Sequence, residues 1–293
     1  MELVNDCKYP DTFMDVLRLD SYSRDGANYS VTEVIRPPRI VLLERRHRDT
    51  ISVPASSVIK SFIGTAIHDA CERRLLRVPN KLYLMERRLM EDISGRQVGG
   101  KFDIYENRKL IDIKTTSTWK VVYNEGDFYD WQAQLNSYAW MLERRGMPVD
   151  RLCIMAIFMD FDPKRVGGKN YPSSMVEEIY LPKWKPEEVE SLLTTSVNEL
   201  IRCESLPDDE LPPCSKDDMW VKPDKFAVMQ QHKVRAVRVL DSLEEAEQYI
   251  VSNNLRDAYV EARLGEPTRC TSFCKVSHVC SQYKQFQQHR QEN

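Results

Sequence analysis

Apolar positions recur along this chain with two different periods, and the switches between them mark its elements. From Val58 towards Leu76, the residues Ile59, Phe62, Ile63, Ala66, Ile67 and Ala70 return every three or four positions, as one helical face does. Ser56 or Ser57 can cap that helix, and Pro79 and Asn80 stop it. Leu82 to Met90 then alternates loosely and reads as a strand. Two more extended runs follow, Val98–Tyr105 and Leu110–Thr115, separated only by Glu106-Asn107-Arg108-Lys109, which makes them a hairpin. Trp131–Arg145 is helical, closed by Gly146 and Pro148. Leu152–Phe161 is a buried strand with Met175–Leu181 as its partner across GGKNYP, and Pro186–Cys203 is an amphipathic helix.

The flanks carry weaker patterns. Near the front, VTEVIRPPRIVLLE reads as two short extended pieces broken by Pro37 and Pro38. After the proline-rich LPDDELPPC, Phe226–Met229 and Arg235–Leu240 suggest a small hairpin, Ser242–Ser252 a helix and Ala258–Leu264 a strand. These changes divide the chain into an N-terminal extension (1–55), a core (56–205) and a C-terminal region (206–293) with a small αβ insert. No internal repeat or low-complexity tract is visible.

With 293 residues, 42% hydrophobic and 30% charged, the composition fits a soluble catalytic core plus a smaller subdomain. The longest apolar stretch, Leu152–Met159, is too short to span a bilayer, so no membrane partner is expected. MELVNDCKYPDT carries no basic segment followed by an apolar run, which leads us to expect a cytoplasmic, reducing setting. There the eight cysteines serve as thiols or metal ligands rather than disulfides. A net charge of −3 argues against a passive nucleic-acid coat protein, although carboxylates that bind cations escape that expectation. The basic run Arg45, Arg46, His47 and Arg48 reads as a solvated face.

The hairpin carries the most specific chemistry. A two-residue turn at Asn107-Arg108 opposes residues 106 with 109, 105 with 110, 104 with 111 and 103 with 112. Asp103 and Asp112 then face each other with Cβ atoms about 5 Å apart, and Lys114, two residues on, shares their face. Phe102, Ile104, Ile111 and Ile113 form the opposite, apolar face. Two facing carboxylates repel. A divalent cation answers that repulsion, and so, equally well on spacing alone, does an ion pair with Lys114 on a solvated face.

GGKFDIYENRKLIDIKTT resembles the central hairpin of the PD-(D/E)xK nucleases, in their RecB-type branch. The resemblance implies that Asp103 and the triplet Asp112-Ile113-Lys114 bind metal and activate water; Asp stands where many relatives have Glu. Gly64-Thr65-Ala66-Ile67-His68 is similar to the branch's GxxxH helix, whose His is a metal ligand, although a lone helical His is ordinarily structural. Gln134 to Tyr138 is similar to its QxxxY motif, which supports the site or contacts DNA. His68, Asp103, Asp112 and Ile113 thus become the implied metal ligands, and Gln134 and Tyr138 join Asp103, Asp112 and Lys114 in the implied catalytic set. Glu86, on the preceding strand, reads as an exposed charge.

The implied fold is an α/β, restriction-endonuclease-like core with a mixed central sheet flanked by helices. The implied activity is Mg²⁺- or Mn²⁺-dependent hydrolysis of DNA, from ends rather than internally, in recombination, repair or phage DNA processing. A recombination or annealing protein is a possible partner. Lys114 would orient or deprotonate the attacking water or screen the phosphate, with Asp112 and Lys114 both half-exposed. Two alternatives stay open: a structure-specific endonuclease, and an idle DNA-binding assembly subunit. The aromatics Trp119, Tyr123, Phe128, Tyr129 and Trp131 beside the hairpin could stack on unpaired bases or belong to the core, Trp131 in particular.

Cys270, Cys274 and Cys280 form a tight triplet, and tetrahedral sites need four ligands; Cys214 is the natural fourth. Cys7, Cys71, Cys153 and Cys203 read as small buried residues. The triplet is similar to one that shares an iron–sulfur cluster with a distant Cys in RecB-type nucleases and CRISPR-adaptation relatives. It departs from them in its first spacing and in lacking a Cys just before Ser56. Phage-encoded members, with one Cys before a small αβ insert and three after it, are nearer, and they imply a bacterial cell or a phage-infected host. A 4Fe-4S cluster and a structural Zn²⁺ are both compatible with four thiolates.

Overall fold

The computed structural model describes residues 2–19, 24–78, 83–123 and 128–291. The chain divides into two compact units, Met1–Leu206 and Pro207–Asn293. Among the described residues no helix is long and apolar enough to cross a membrane.

The first unit opens with strand β1 (Glu2–Val4) and helix α1 (Asp11–Arg18), then strand β2 (Tyr29–Ser30), which leads straight into helices α2 (Val31–Val34) and α3 (Pro38–Arg46). Here the sequence reading of two extended pieces is wrong. Ser30 and Glu33 form a reciprocal capping box that starts α2. Pro38 occupies the first turn of α3, where a missing N–H removes no helical hydrogen bond. The prolines begin a helix rather than interrupt a strand, and Ile40, Val41, Leu42 and Leu43 are buried by it. Nor is the basic run simply solvated. Arg45 pairs with Glu33 at 3.1 Å and lies over the Tyr29 ring, while Arg46 donates to the carbonyls of Cys203 and Glu204.

Strand β3 (Ser52–Pro54) pairs in parallel with β1 and feeds the long helix α4 (Ala55–Leu75). Neither Ser56 nor Ser57 caps it: Ser56 bonds the Asp6 carboxylate and the Ser57 hydroxyl donates to the Pro54 carbonyl. Of its apolar face only Ala55 is fully buried; Ile59, Phe62, Ile63, Ile67 and Ala70 are half-buried and Ala66 is exposed. Pro79, Asn80 and Leu82 lie outside the described residues.

Strands β4 (Tyr83–Ile93), β5 (Arg96–Glu106) and β6 (Lys109–Thr116) follow, then helices α5 (Thr118–Tyr123) and α6 (Tyr129–Glu143), strands β7 (Arg151–Phe158) and β8 (Val176–Leu181), and helix α7 (Pro186–Glu204). With β2 these strands make one six-stranded mixed sheet. β4, β6 and β8 run antiparallel to their neighbours β5, β5 and β7, whereas β2 is parallel to β5 and β6 to β7. Helices α4, α6 and α7 pack on it. Leu135, Met141, Leu142, Leu152, Ile154 and Leu193 are among the side chains sealed in the core.

In the second unit, β9 (Lys225–Gln230) is the middle strand of an antiparallel three-stranded sheet, flanked by β10 (Arg238–Leu240) and by a later strand. Helix α8 (Leu243–Ser252), capped by the Ser242 side chain, connects β10 to that strand, β11 (Ala258–Arg263). Two short helices, α9 (Thr268–Ser272) and α10 (Ser281–Gln291), end the chain.

Candidate metal centre

The site grows from a fork in the sheet. Asn107 and Arg108 both adopt left-handed backbone conformations (φ 45° and 61°), as a two-residue hairpin turn of this twist requires. The turn sets the pairs 106–109, 105–110 and 104–111. Beyond them β5 and β6 part, and the upstream half of that edge of β5 pairs with β2 instead, at Val98 and Gly99. Asp103 stands where the strands separate. Its Oδ2 accepts the Ile113 N–H at 2.6 Å, so a side chain replaces the backbone ladder there. Gly100, in the gap, lets α6 come close: a Cβ there would lie 2.3 Å from the Tyr138 ring.

On the other edge of β5, the pairing with β4 runs from Tyr83 to Ile93 and skips only Glu86, opposite Asp103. Glu86 has φ 49°, a costly conformation for a non-glycine residue inside a strand. Its side chain is 8% exposed, pairs with Lys101, and places Oε1 3.8 Å from His68 Nδ1. The expectation of an exposed charge is therefore wrong. The available signal was a lone acid amid Leu84, Met85, Leu89 and Met90, at the position that the β4–β5 register sets against Asp103.

His68 arrives from α4. Four residues earlier, a Cβ on Gly64 would stand 3.1 Å from Thr115 Oγ1, so glycine allows this helical turn to press against β6. The imidazole then reaches Asp103 Oδ1 with Nδ1 (3.3 Å) and the Ile113 carbonyl with Nε2 (2.9 Å). Asp103 foremost, then Glu86, push its pKa up to about 10. The ring is thus a cation at neutral pH, neutralising carboxylates that would otherwise repel. His68, Glu86 and Asp103 offer ligand atoms all within 4.8 Å of one another.

Asp112 and Lys114 complete the cluster. Asp112 is buried, not half-exposed as the sequence suggested, because β7 pairs along the whole length of β6. Lys114 Nζ stands 2.7 Å from Asp112 Oδ2, which has no other partner among the described residues. Burial pushes the Asp112 carboxyl up to about 6, against the pull of Lys114 and with a further push from Asp103. For Lys114, burial favours the neutral amine, but Asp112 and Asp103 outweigh it and raise the pKa above the ordinary lysine value. In this arrangement Lys114 is a charged donor, better suited to holding an anion than to removing a proton. Gln134, on α6, accepts from Lys114 at 3.0 Å, and its amide nitrogen lies 3.5 Å from Asp112 Oδ1 and 3.3 Å from the Tyr138 hydroxyl.

These donors suit a divalent cation. Around an octahedral ion with bonds of about 2.1 Å, neighbouring ligands lie about 3 Å apart and opposed ones about 4.2 Å apart, inside the spread found here. The Asp112 oxygen that meets only Lys114 is a further donor.

The second unit brings Cys214 towards the triplet by contacts that need no metal. Gln282 clamps both the N–H and the carbonyl of Cys214 at 2.8 Å, Val221 bridges to Pro267, and Arg269 donates to the Asp218 carbonyl. The thiols feel one another. Cys214 is pushed up to about 12 by burial, then by Asp218 and the other three cysteines, and Cys270 up to about 11 by burial, Cys274 and Cys280. Elsewhere Cys153 and Cys203 are buried, whereas Cys71 is only half-buried and Cys7 is exposed, contrary to expectation.

No family profile and no curated protein matches the chain. Among solved structures, one named SSO0001 is similar with a TM-score of 0.44 and 18% identity, covering 64% of this chain and 81% of its own. Another, a "Putative exonuclease" from Eubacterium rectale, has a TM-score of 0.32 and 11% identity over 48% of this chain. The match spans about half of that protein, 52%. Likenesses this slight assign neither family nor activity. The functional reading rests on the residues themselves.

Proposed function

We propose that this chain is a divalent-metal-dependent deoxyribonuclease acting from DNA ends. The observation that carries the reading is the convergence of His68, Glu86 and Asp103, with buried Asp112 and its Lys114 contact on the adjoining strand. His68, Asp103, Asp112 and the Ile113 carbonyl would hold Mg²⁺ or Mn²⁺, with Glu86 an additional ligand that the sequence did not reveal. When bound, the ion would lower the pKa of a water and offset charge on the scissile phosphate. The chain's own contributions are distinct from this. His68 gives up its proton to become a ligand; Lys114 donates to a phosphate oxygen or orients the water; Gln134 fixes the Lys114 ammonium; and Tyr138 seats Gln134. The preference for DNA and for ends comes from the motif resemblance.

End-labelled linear and covalently closed circular DNA, incubated with Mn²⁺ or Mg²⁺, test the reading. Linear DNA should be degraded and closed circles largely spared, with Asp112→Asn inactive on both. Linearisation of closed circles by the wild type would make the enzyme an endonuclease; full activity of Asp112→Asn would remove the site.

For Cys214, Cys270, Cys274 and Cys280 we propose a structural 4Fe-4S cluster. The choice of iron–sulfur over zinc comes from the resemblance of the cysteine triplet, since four thiolates by themselves suit either. Anaerobically purified protein should carry about four irons per chain; one zinc per chain and no iron would overturn the assignment.

A further inference from the structure

Beside the candidate metal centre lies an aromatic surface that the hydrolytic chemistry does not use. Helix α5 begins two residues after β6, the strand that carries Asp112 and Lys114. Trp119 and Tyr123, one helical turn apart on α5, stack with ring centroids 5.1 Å apart and planes 15° apart. They are nevertheless exposed, at 39% and 72%. The guanidinium of Arg165 sits 4.6 Å over the Trp119 ring and 5.4 Å from Tyr171, which stacks in turn on Phe161. Among the described residues Arg165 has no carboxylate partner.

The remaining aromatics of this segment behave differently. Phe128 and Trp131 stack on each other at 4.8 Å and are buried, so they belong to the core, and Tyr129 leans against Trp184. Two rings kept stacked but left open to solvent, with a guanidinium over one of them that no carboxylate of the described residues pairs, match the chemistry of an unpaired nucleic-acid strand. Such a strand presents flat base faces and a phosphate for every base.

The surface is tied to the site through one helix. Lys120, next to Trp119, pairs with Asp130 at 3.0 Å and lies over the Trp131 ring at 4.5 Å. Asp130 and Trp131 are one turn before Gln134 on α6, and Gln134 holds Lys114. The aromatic surface is thus joined through α6 to the Gln134–Lys114 contact.

We propose that Trp119, Tyr123 and Arg165 form a ledge that stacks the unpaired bases of a single-stranded DNA end delivered to this site. The substrate class follows: ends with a single-stranded overhang, in preference to blunt duplex. The choice of DNA rests on the function proposed above; the stacking does not.

The test uses the full-length protein with Ca²⁺ in place of Mn²⁺ and follows the anisotropy of a fluorescein-labelled mixed-sequence single strand and of a blunt duplex. Trp119→Ala and Tyr123→Ala should each weaken single-strand binding by about 5- to 150-fold, the worth of one stacked base. Blunt-duplex binding should change little, and Trp119→Phe should restore most of the loss. Arg165→Ala should flatten the logarithmic salt dependence for the single strand by about 0.7, as expected for one lost phosphate contact. Unchanged melting temperatures check that the exposed substitutions leave the fold intact. Single-strand affinity indifferent to Trp119→Ala, or an equal loss for blunt duplex, would overturn the ledge. Mn²⁺-dependent cleavage of linear DNA by the wild type, measured on the same preparation, separates the two readings. Cleavage with Trp119-independent binding removes the ledge alone, and no cleavage with Trp119-dependent binding removes only the hydrolytic function.

Discussion

Moving the protein from about pH 6.5 to about pH 8.5 should tighten Mn²⁺ binding roughly a hundredfold, because a metal-bound imidazole must be neutral. The perturbation acts on His68, whose pKa Asp103 and Glu86 raise to about 10. The sign follows from that direction. With the pKa above ambient pH, the metal-free protein carries the proton throughout the neutral range and binding must expel it, so affinity climbs tenfold per pH unit and levels off near pH 10. Each unit is about 1.4 kcal/mol, so near pH 7.5 the proton penalises binding by roughly 3 kcal/mol. Below about pH 6, Asp112 begins to carry a second proton and the slope should steepen. Isothermal titration calorimetry in buffers of different ionisation enthalpy reads the released proton directly; about one per Mn²⁺ is expected near pH 7.5. His68→Gln should abolish this release. Affinity that varies less than about twofold over the range, with heats independent of buffer, would refute the placement of His68 among the ligands.

Other substitutions probe the surroundings. Asp112→Asn should lower the metal-free melting temperature, since it leaves the half-buried Lys114 ammonium without its nearest carboxylate; differential scanning fluorimetry should also show Mn²⁺ no longer stabilising the variant. Gly100→Ala should destabilise by roughly 1–3 kcal/mol because its methyl meets the Tyr138 ring, and Tyr138→Ala in the same chain should recover part of that loss in chemical denaturation. Cys280→Ser should lower thermal stability and iron content together, whereas Cys7→Ser, at an exposed position, should change neither.

What the sequence disclosed and what it hid have physical reasons. The pairing of β5 with β6 was legible because a two-residue turn leaves one register, and the Gly64–His68 spacing because positions four apart share a helical face. Glu86 was hidden because its role depends on a third strand and on a backbone conformation that no local propensity announces. Pro37 and Pro38 misled because proline disrupts a strand but fits a helix start, and only Ser30 with Glu33 one turn upstream hinted at the second case. The apolar stripe of α4 foretold a helix correctly and its burial poorly: periodicity reports a face, not the thickness of what covers it. The charge on Lys114 lies furthest from the sequence, since it is set by a contest between desolvation and two carboxylates.

The single edge of β5 that serves two neighbours has a consequence for how this protein can vary. A residue inserted between Gly100 and Asp103 would shift the strand against β2 or against β6, but not against both, and β4 holds the whole of its other side. The gap is therefore gauged from three directions, whereas the ends of the same strands are not. Lineages descended from this chain should accordingly keep the residue count between Gly99 and Asn107 fixed.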